Sequence, residues 1–199
     1  MAKFPETCDS LIQRVKDPAD AAAWEEFTKM YRPIIYRVAR TRGLQEADAQ
    51  DLAQQVLLAV SGAVGRWERR DDDSRFRNWI SRITSRAVMK SLSRGPRDPA
   101  VGGTDVLILL EELPQTDPAT AELMELEYRR QLYLKAAERV RDDVTADSWQ
   151  VFVMTAIDGV SIDEAARQLQ RSVGSVYAVR SRVMRRLREA VRMLEGLEQ

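Results

Sequence analysis

Apolar residues in this chain recur at three- and four-residue steps over most of its length, and strand-type alternation is missing. That spacing is the period of an α-helix with one buried stripe, so strands are not expected. In the first half, Trp24, Phe27, Tyr31, Ile34 or Ile35, and Val38 form one such stripe. Pro33 falls inside it; a proline lacks the amide donor and crowds the preceding turn, so a kink or break is expected there. A second helix is predicted over 46–64, with Leu52, Val56, Ala59 and Ala63 on one side. A third starts near Phe76 and carries Phe76, Ile80, Ile83 and Ala87 on its apolar face.

Turn formers divide the chain. Of seven prolines, Pro96, Pro99, Pro114 and Pro118 lie close together, beside Gly95, Gly102 and Gly103. This predicts a linker over 96–120 between helical domains at 8–95 and 121–195. In the second block, helices are predicted over 126–140 and 149–157. Ser161, followed three residues later by Glu164, has the form of a capping box, in which each side chain bonds the other's backbone amide. A short helix should run from there to about Gln170. Gln170, Arg171 and Ser172 make the turn, and Ser172 can cap a last helix reaching about Leu194. The expected fold class is all-α: two small helical domains joined by an acidic, Pro/Gly-containing linker, the C-terminal one holding a helix-turn-helix.

Several function classes fall away on composition. The 199 residues include no histidine, which excludes Ser–His and Cys–His nucleophile systems and histidine-ligated metals. Cys8, the one cysteine, has no internal disulfide partner. There is no glycine-rich phosphate loop and no converging carboxylate pair, so an enzyme is the least expected reading and no cofactor or metal is implied. Asp71, Asp72 and Asp73 could be offered as a metal site, but among arginines a solvated charge run is the better account. The start of the chain lacks the apolar core of a signal peptide, and no run approaches the roughly 20 apolar residues of a membrane span. The expected setting is a reducing cytoplasm, without membrane insertion.

Lysine plus arginine total 31 and aspartate plus glutamate total 31, so the net charge is zero. The balance conceals segregation. Residues 74–97 hold seven bases and no acid; 171–192 hold seven arginines and one acid; 95–127 hold eight acids and one arginine. The order is basic helix, acidic linker, basic helix. A basic helix can be no more than a solvated face, but here each basic helix closes its block and arginine is nearly the only base used. Its planar fork suits phosphate oxygens and guanine edges. Binding of this kind falls steeply with salt as counterions leave the nucleic acid.

On a helical wheel the last helix puts Val176, Val179, Val183, Leu187 and Val191 on one stripe. Arg171, Ser175, Ala178, Ser181, Arg182 and Arg185 lie across from it. Ile162, Ala165, Ala166 and Leu169 supply the apolar side of the preceding helix, and the two alanines permit a close crossing. A helix-turn-helix places its second helix in the major groove. The candidate contacts are then Arg171, Ser172, Ser175, Ala178, Ser181, Arg182 and Arg185, with Arg186 and Arg188 at most on the backbone. Two helices and a short turn also occur in helical bundles that bind nothing. A structural helix would normally mix glutamate into that outer face.

The first block offers two further surfaces. Over 48–58, acidic and amide residues share a helix with aliphatic ones. Either this is a solvated helix start, where acids are favoured, or Asp48, Asp51, Leu52, Gln54, Gln55 and Leu58 form a face for a basic partner. The loop at 62–75 carries Arg66, Trp67, Arg69, Arg70 and Arg75. A tryptophan among arginines can stack on an unpaired base; Trp67 and Trp79 equally suit a core.

These stretches together, Asp48-Ala49-Gln50-Asp51-Leu52 with 54–58, then Phe76-Arg77-Asn78-Trp79-Ile80, then the capped helix-turn-helix, resemble an extracytoplasmic-function (ECF, group IV) RNA polymerase sigma factor over about residues 10–191. The resemblance implies a promoter-specificity subunit. It implies that the 48–58 face docks on the clamp helices of the largest polymerase subunit. It implies that Arg66, Trp67, Arg69, Arg70, Arg75, Arg77, Asn78, Arg82, Arg86 and Lys90 serve the downstream (minus-ten) element. The C-terminal helix-turn-helix would read the upstream (minus-thirty-five) element and touch the flap of the second-largest subunit, while the acidic linker threads the nucleic-acid channel. Core RNA polymerase and promoter DNA are the implied partners, with an anti-sigma factor as a further candidate. Gln55 stands where the family usually has glutamate, Leu57 where phenylalanine is common, Arg86 where asparagine is frequent and Lys90 where aspartate is frequent. The last two raise the positive charge of the strand-opening helix. The competing readings are a stand-alone helix-turn-helix regulator, which would bind promoter DNA without polymerase, and a helical adaptor with no nucleic-acid role.

Overall fold

The structure, a computed structural model, describes residues 8–68, 76–94 and 117–195. Those residues form α-helices joined by short turns, with no strand among them. They are α1 (Cys8–Val15), α2 (Ala21–Thr41), α3 (Glu46–Ala63), α4 (Phe76–Arg94), α5 (Pro118–Asp143), α6 (Ala146–Phe152), α7 (Ile162–Gln168) and α8 (Val173–Glu195). No helix among the described residues is long and apolar enough to cross a membrane. The chain divides into two compact units, one over Asp9–Gln131 and one built on Leu132–Gln199.

The first unit is organised around α2. Asp20 caps it, its Oδ1 accepting from the Ala23 amide at 2.9 Å, while Arg14 Nε donates to Asp20 Oδ2 at 2.7 Å. The Arg14 bond, then the Ala23 amide, hold the Asp20 carboxyl below its ordinary value of 3.8. The helix runs on through Pro33 rather than breaking there. Tyr31, Ile34, Ile35 and Val38 on both sides of the proline are buried, and that packing overrides the lost amide bond. Gly43, at φ +99°, ends the helix in the left-handed conformation that a side chain would resist.

α3 packs along α2, and α4 along α3. Their buried stripes are those the spacing predicts: Leu52, Val56, Ala59 and Ala63 on α3; Phe76, Ile80, Ile83 and Ala87 on α4. Phe76 is the hub of an aromatic cluster. Its ring lies 5.7 Å from Phe27, 5.9 Å from Tyr31, 5.3 Å from Trp67 and 5.3 Å from Trp79, mostly edge to face. Such pairs add to the area they bury.

The second unit contains the end of α5 and helices α6 to α8. α5 begins at Pro118, well before the predicted 126, because Asp117 caps it: its carboxylate accepts from the Thr120 hydroxyl at 2.7 Å and the Thr120 amide at 3.2 Å. Thr145 caps α6. The predicted 149–157 helix is α6 followed by a π-helical turn, Val153–Ile157. Ser161 caps α7 as expected, accepting from the Glu164 amide at 3.2 Å. The reciprocal half of the box is replaced, since the Glu164 carboxylate accepts from Arg167 and Gln168 instead.

Between α7 and α8 the chain turns within four residues. The Arg171 amide reaches back to the Ala166 carbonyl at 2.9 Å, and Gln170 takes φ +52°. Ser172 then caps α8, its hydroxyl accepting from the Ser175 amide at 3.2 Å. Val151, Ala165, Ala166, Val176 and Val179 make one core, and the two alanines leave room for α8 to approach α7. Further along α8, Val183, Leu187, Ala190 and Leu194 are buried. Val191 is only half-buried, because a 3.6-residue period drifts past a strict four-residue step.

Two outcomes follow for stability. Gln170 occupies a conformation that costs an L-residue about 1–2 kcal/mol, so Gln170→Gly should stabilise the chain by about 1 kcal/mol, seen as a higher melting temperature. Because the folded Asp20 pKa lies below the unfolded value of 3.8, its contribution is present above about pH 4 and is lost as pH falls through the folded value. Asp20→Asn should therefore lower the urea midpoint at pH 7, and the gap to the parent chain should close in titrations below pH 4.

Candidate nucleic-acid interface

α8 sorts its residues cleanly. With the apolar stripe inside, Ser172, Ser175, Ala178, Ser181, Arg182 and Arg185 are all exposed on the outer side. Arg182 has no polar partner among the described residues, so its guanidinium is available to an outside ligand. Arg185 lies 3.8 Å from Glu189, one turn on. Arg171 differs: it is half-buried, and its Nη2 donates to Asp147 Oδ2 at 3.0 Å, tying the turn to the start of α6. Arg186 likewise donates to the Asp143 carbonyl at 3.0 Å. The outer face also carries Val173, Gly174 and Tyr177, which the charge pattern does not single out; their exposure in the fold is what reveals them. In the same unit, Trp149, Val153 and Met154 line an open groove of about 590 Å³ together with Arg141 and Asp142.

In the first unit, α4 carries Arg82, Arg86 and Lys90 at four-residue steps, so they share a side, and each is half-buried. Arg77 is turned elsewhere. Its guanidinium sits 4.6 Å from the Tyr128 ring centroid and 3.7 Å from Glu125, both on α5. Asn78 and Ser81 line a cavity of about 220 Å³ with Tyr31, Met124 and Tyr128. Arg66 is exposed just after α3, in a short 3-10 turn, Val64–Arg66. Trp67 is half-buried against Phe76 and Trp79, with the Lys16 ammonium 5.4 Å from its ring. Arg69, Arg70, Arg75, the aspartates 71–73 and nearly all of the predicted linker lie outside the described residues.

Acids of α5 hold further arginines of this unit. Arg37 Nε donates to Glu127 Oε2, and its Nη2 to Gln131 Oε1 at 2.8 Å. Glu127 is 8 % exposed, and removing one member of such a pair would leave the other poorly solvated. Arg42 lies 3.0 Å from Asp117, whose pKa is lowered chiefly by the Thr120 hydroxyl bond and further by Arg42.

The outer face of α3 is of a different kind. Asp51 and Gln54 are exposed, Leu58 is 55 % exposed, and Asp48 and Gln55 are half-buried. Leu52 is buried and supports this face from beneath. At its start, Tyr36 Oη donates to Glu46 Oε2 at 2.6 Å, which with Gln50 holds the Glu46 carboxyl below its ordinary value. Pro33, Tyr36, Glu46 and Gln50 line an adjoining groove of about 400 Å³. Among the described residues no group of three or more Cys, Asp or Glu side chains is placed to hold a metal ion.

Comparison with known proteins agrees with this layout. The family model for sigma-70 region 2 matches residues 27–97, which takes in α3, α4 and most of α2. The chain is 24 % identical over 182 residues to the ECF RNA polymerase sigma factor SigE of Mycolicibacterium smegmatis, an alignment covering 90 % of this chain and 64 % of that protein. It is 26 % identical over 190 residues to the RNA polymerase sigma factor NccH of Alcaligenes xylosoxydans xylosoxydans, covering 94 % and 95 %. With its helical scaffold, its region 2 match and two relatives aligned along nearly its whole length, the chain carries a sigma-70 region 2 and is similar to ECF RNA polymerase sigma factors.

Proposed function

We propose that this chain directs core RNA polymerase to a specific set of promoters and assists initiation, supplying register and specificity while polymerase supplies the chemistry. The observation that carries the reading is the sorting of α8. Its apolar stripe is buried, and its outer face presents Ser, Ala, Gly and Arg with no acid between Ser172 and Arg188. That face fits the major groove of an upstream promoter element, with Arg182, Ser175, Ala178 and Ser181 nearest the bases and Ser172 and Arg185 nearer the phosphates. Arg171, already engaged by Asp147, sets the turn angle and meets DNA only on giving up that ion pair.

The block at 8–95 serves polymerase docking and the downstream element, and the block at 121–195 serves the upstream element. Asp48, Asp51, Gln54, Gln55 and Leu58 suit a basic, partly apolar partner such as the clamp helices of the largest subunit. Arg66, Trp67, Arg69, Arg70, Arg75, Asn78, Arg82, Arg86 and Lys90 suit the phosphates and unstacked bases of an opening duplex. Arg77 joins them on release from Glu125. The apolar groove at Trp149 and Val153 suits the flap of the second-largest subunit. The linker's acids are a polyanion of the kind a nucleic-acid channel accepts, and an anti-sigma factor would compete for the same faces. The setting is cytoplasmic, where polymerase and promoters are.

Run-off transcription with purified core polymerase on a fragment library tests the whole reading. Start sites chosen only when the chain is present support it; a stable promoter complex formed by the chain alone, with no effect on polymerase, overturns it. Arg182→Ala should reduce use of promoters that depend on the upstream element by about tenfold, measured as open-complex formation. Asp51→Ala should weaken core-polymerase binding up to about fivefold, the scale of one exposed charge pair, measured by titration with labelled chain.

A further inference from the structure

The first turn of α8 presents a surface that its own unit does not use. Val173 is 49 % and Tyr177 64 % exposed, while Val176 and Val179 beside them are buried. Residues four apart on a helix are neighbours, so the two apolar side chains stand together in water. Gly174 sits next to them. Its φ is not in the left-handed region, and a Cβ added there would meet nothing within 4 Å. Neither backbone conformation nor internal packing asks for glycine here, although glycine is a poor helix former. Bare backbone is useful where another molecule comes close. Ser175, Ala178 and Ser181 continue the low, exposed surface around it.

The occupant is indicated by charge. Residues 172–188 contain five arginines and no acid, so the surface suits a polyanion. On the base edges of the major groove, the apolar feature is the C5-methyl group of thymine.

We propose that Val173, Gly174 and Tyr177 form an apolar reading patch that selects thymine in the upstream element. Gly174 lets the helix backbone approach the base edges, and Val173 and Tyr177 cover thymine methyl groups. The inference rests on the promoter-binding reading above and adds to it a base preference that the arginines do not supply.

The test uses holoenzyme reconstituted from the full chain and core polymerase, on a promoter recovered from the fragment library. Each thymine of the upstream element is replaced by uracil in turn, which removes only the methyl group. The parent chain should lose about three- to tenfold in open-complex formation at one or two positions, a loss of the size expected for taking one methyl group out of water. Val173→Ser and Tyr177→Ser should use the thymine and uracil promoters equally at those positions, while Tyr177→Phe keeps the difference. Gly174→Ala should raise the melting temperature of the free chain by about 2 °C yet lower promoter use about tenfold, opposite signs that a purely structural glycine would not give. A parent chain indifferent to every uracil, a methyl effect of full size in both serine variants, or unchanged promoter use by Gly174→Ala overturns the patch. Scrambling the whole upstream element separates the two levels. If scrambling abolishes promoter use but no uracil matters, the patch alone falls; if scrambling changes nothing, upstream-element reading falls and the patch with it.

Discussion

Phe76 touches Phe27, Tyr31, Trp67 and Trp79 at once, and this aromatic cluster sets how α4 rolls against α2 and α3. Once Phe76, Ile80, Ile83 and Ala87 face inward, the positions of the α4 bases are determined by helical geometry. Arg82, Arg86 and Lys90 share one side, and Arg77 lies on another, against α5. In the second unit the Val176–Val179–Ala165–Ala166 core plays the same part, turning the serines and arginines of α8 outward. In both units the candidate interface is what remains after one stripe per helix has been buried.

Charge segregation works on top of that scaffold. The chain is neutral overall, so long-range attraction to nucleic acid is weak and local arrangement decides. Several arginines are occupied inside the protein: Arg37 by Glu127, Arg42 by Asp117, Arg77 by Glu125 and Tyr128, Arg171 by Asp147. Others, such as Arg182, face water. A guanidinium already paired contributes less to an outside phosphate, because the internal ion pair must first be given up. The acids that matter most for this are Asp117 at the cap of α5 and Glu125 and Glu127 in its first turns, a segment that packs in the first unit.

Much of the architecture was legible in residue spacing. The buried stripes of α2, α3, α4 and α8, the Ser161 cap and the Ser172 cap follow from local rules whose partners lie within one helical turn. The misses have the opposite character. Pro33 sits inside a continuous helix because residues far along the chain pack on both sides of it. The π-helical turn at Val153–Ile157 has no local signature, and the left-handed Gln170 is the C-terminal cap of α7, closed by the Arg171 amide on the Ala166 carbonyl, at a residue type that rarely adopts it. Among site residues, the exposure of Ser175, Ala178, Ser181 and Arg182 was readable on a wheel. The inward turn of Arg77 and the exposure of Val173 and Tyr177 were not.

By itself the sequence determined the helical class, the division of charge along the chain and the resemblance to the ECF sigma factors, because periodicity, composition and motif order are properties of neighbours on the chain. Tertiary structure decided which of the charged residues are spent on one another and which are left for a partner. That choice depends on distances between residues as far apart as Arg37 and Glu127, and no pattern confined to one helix carries that information.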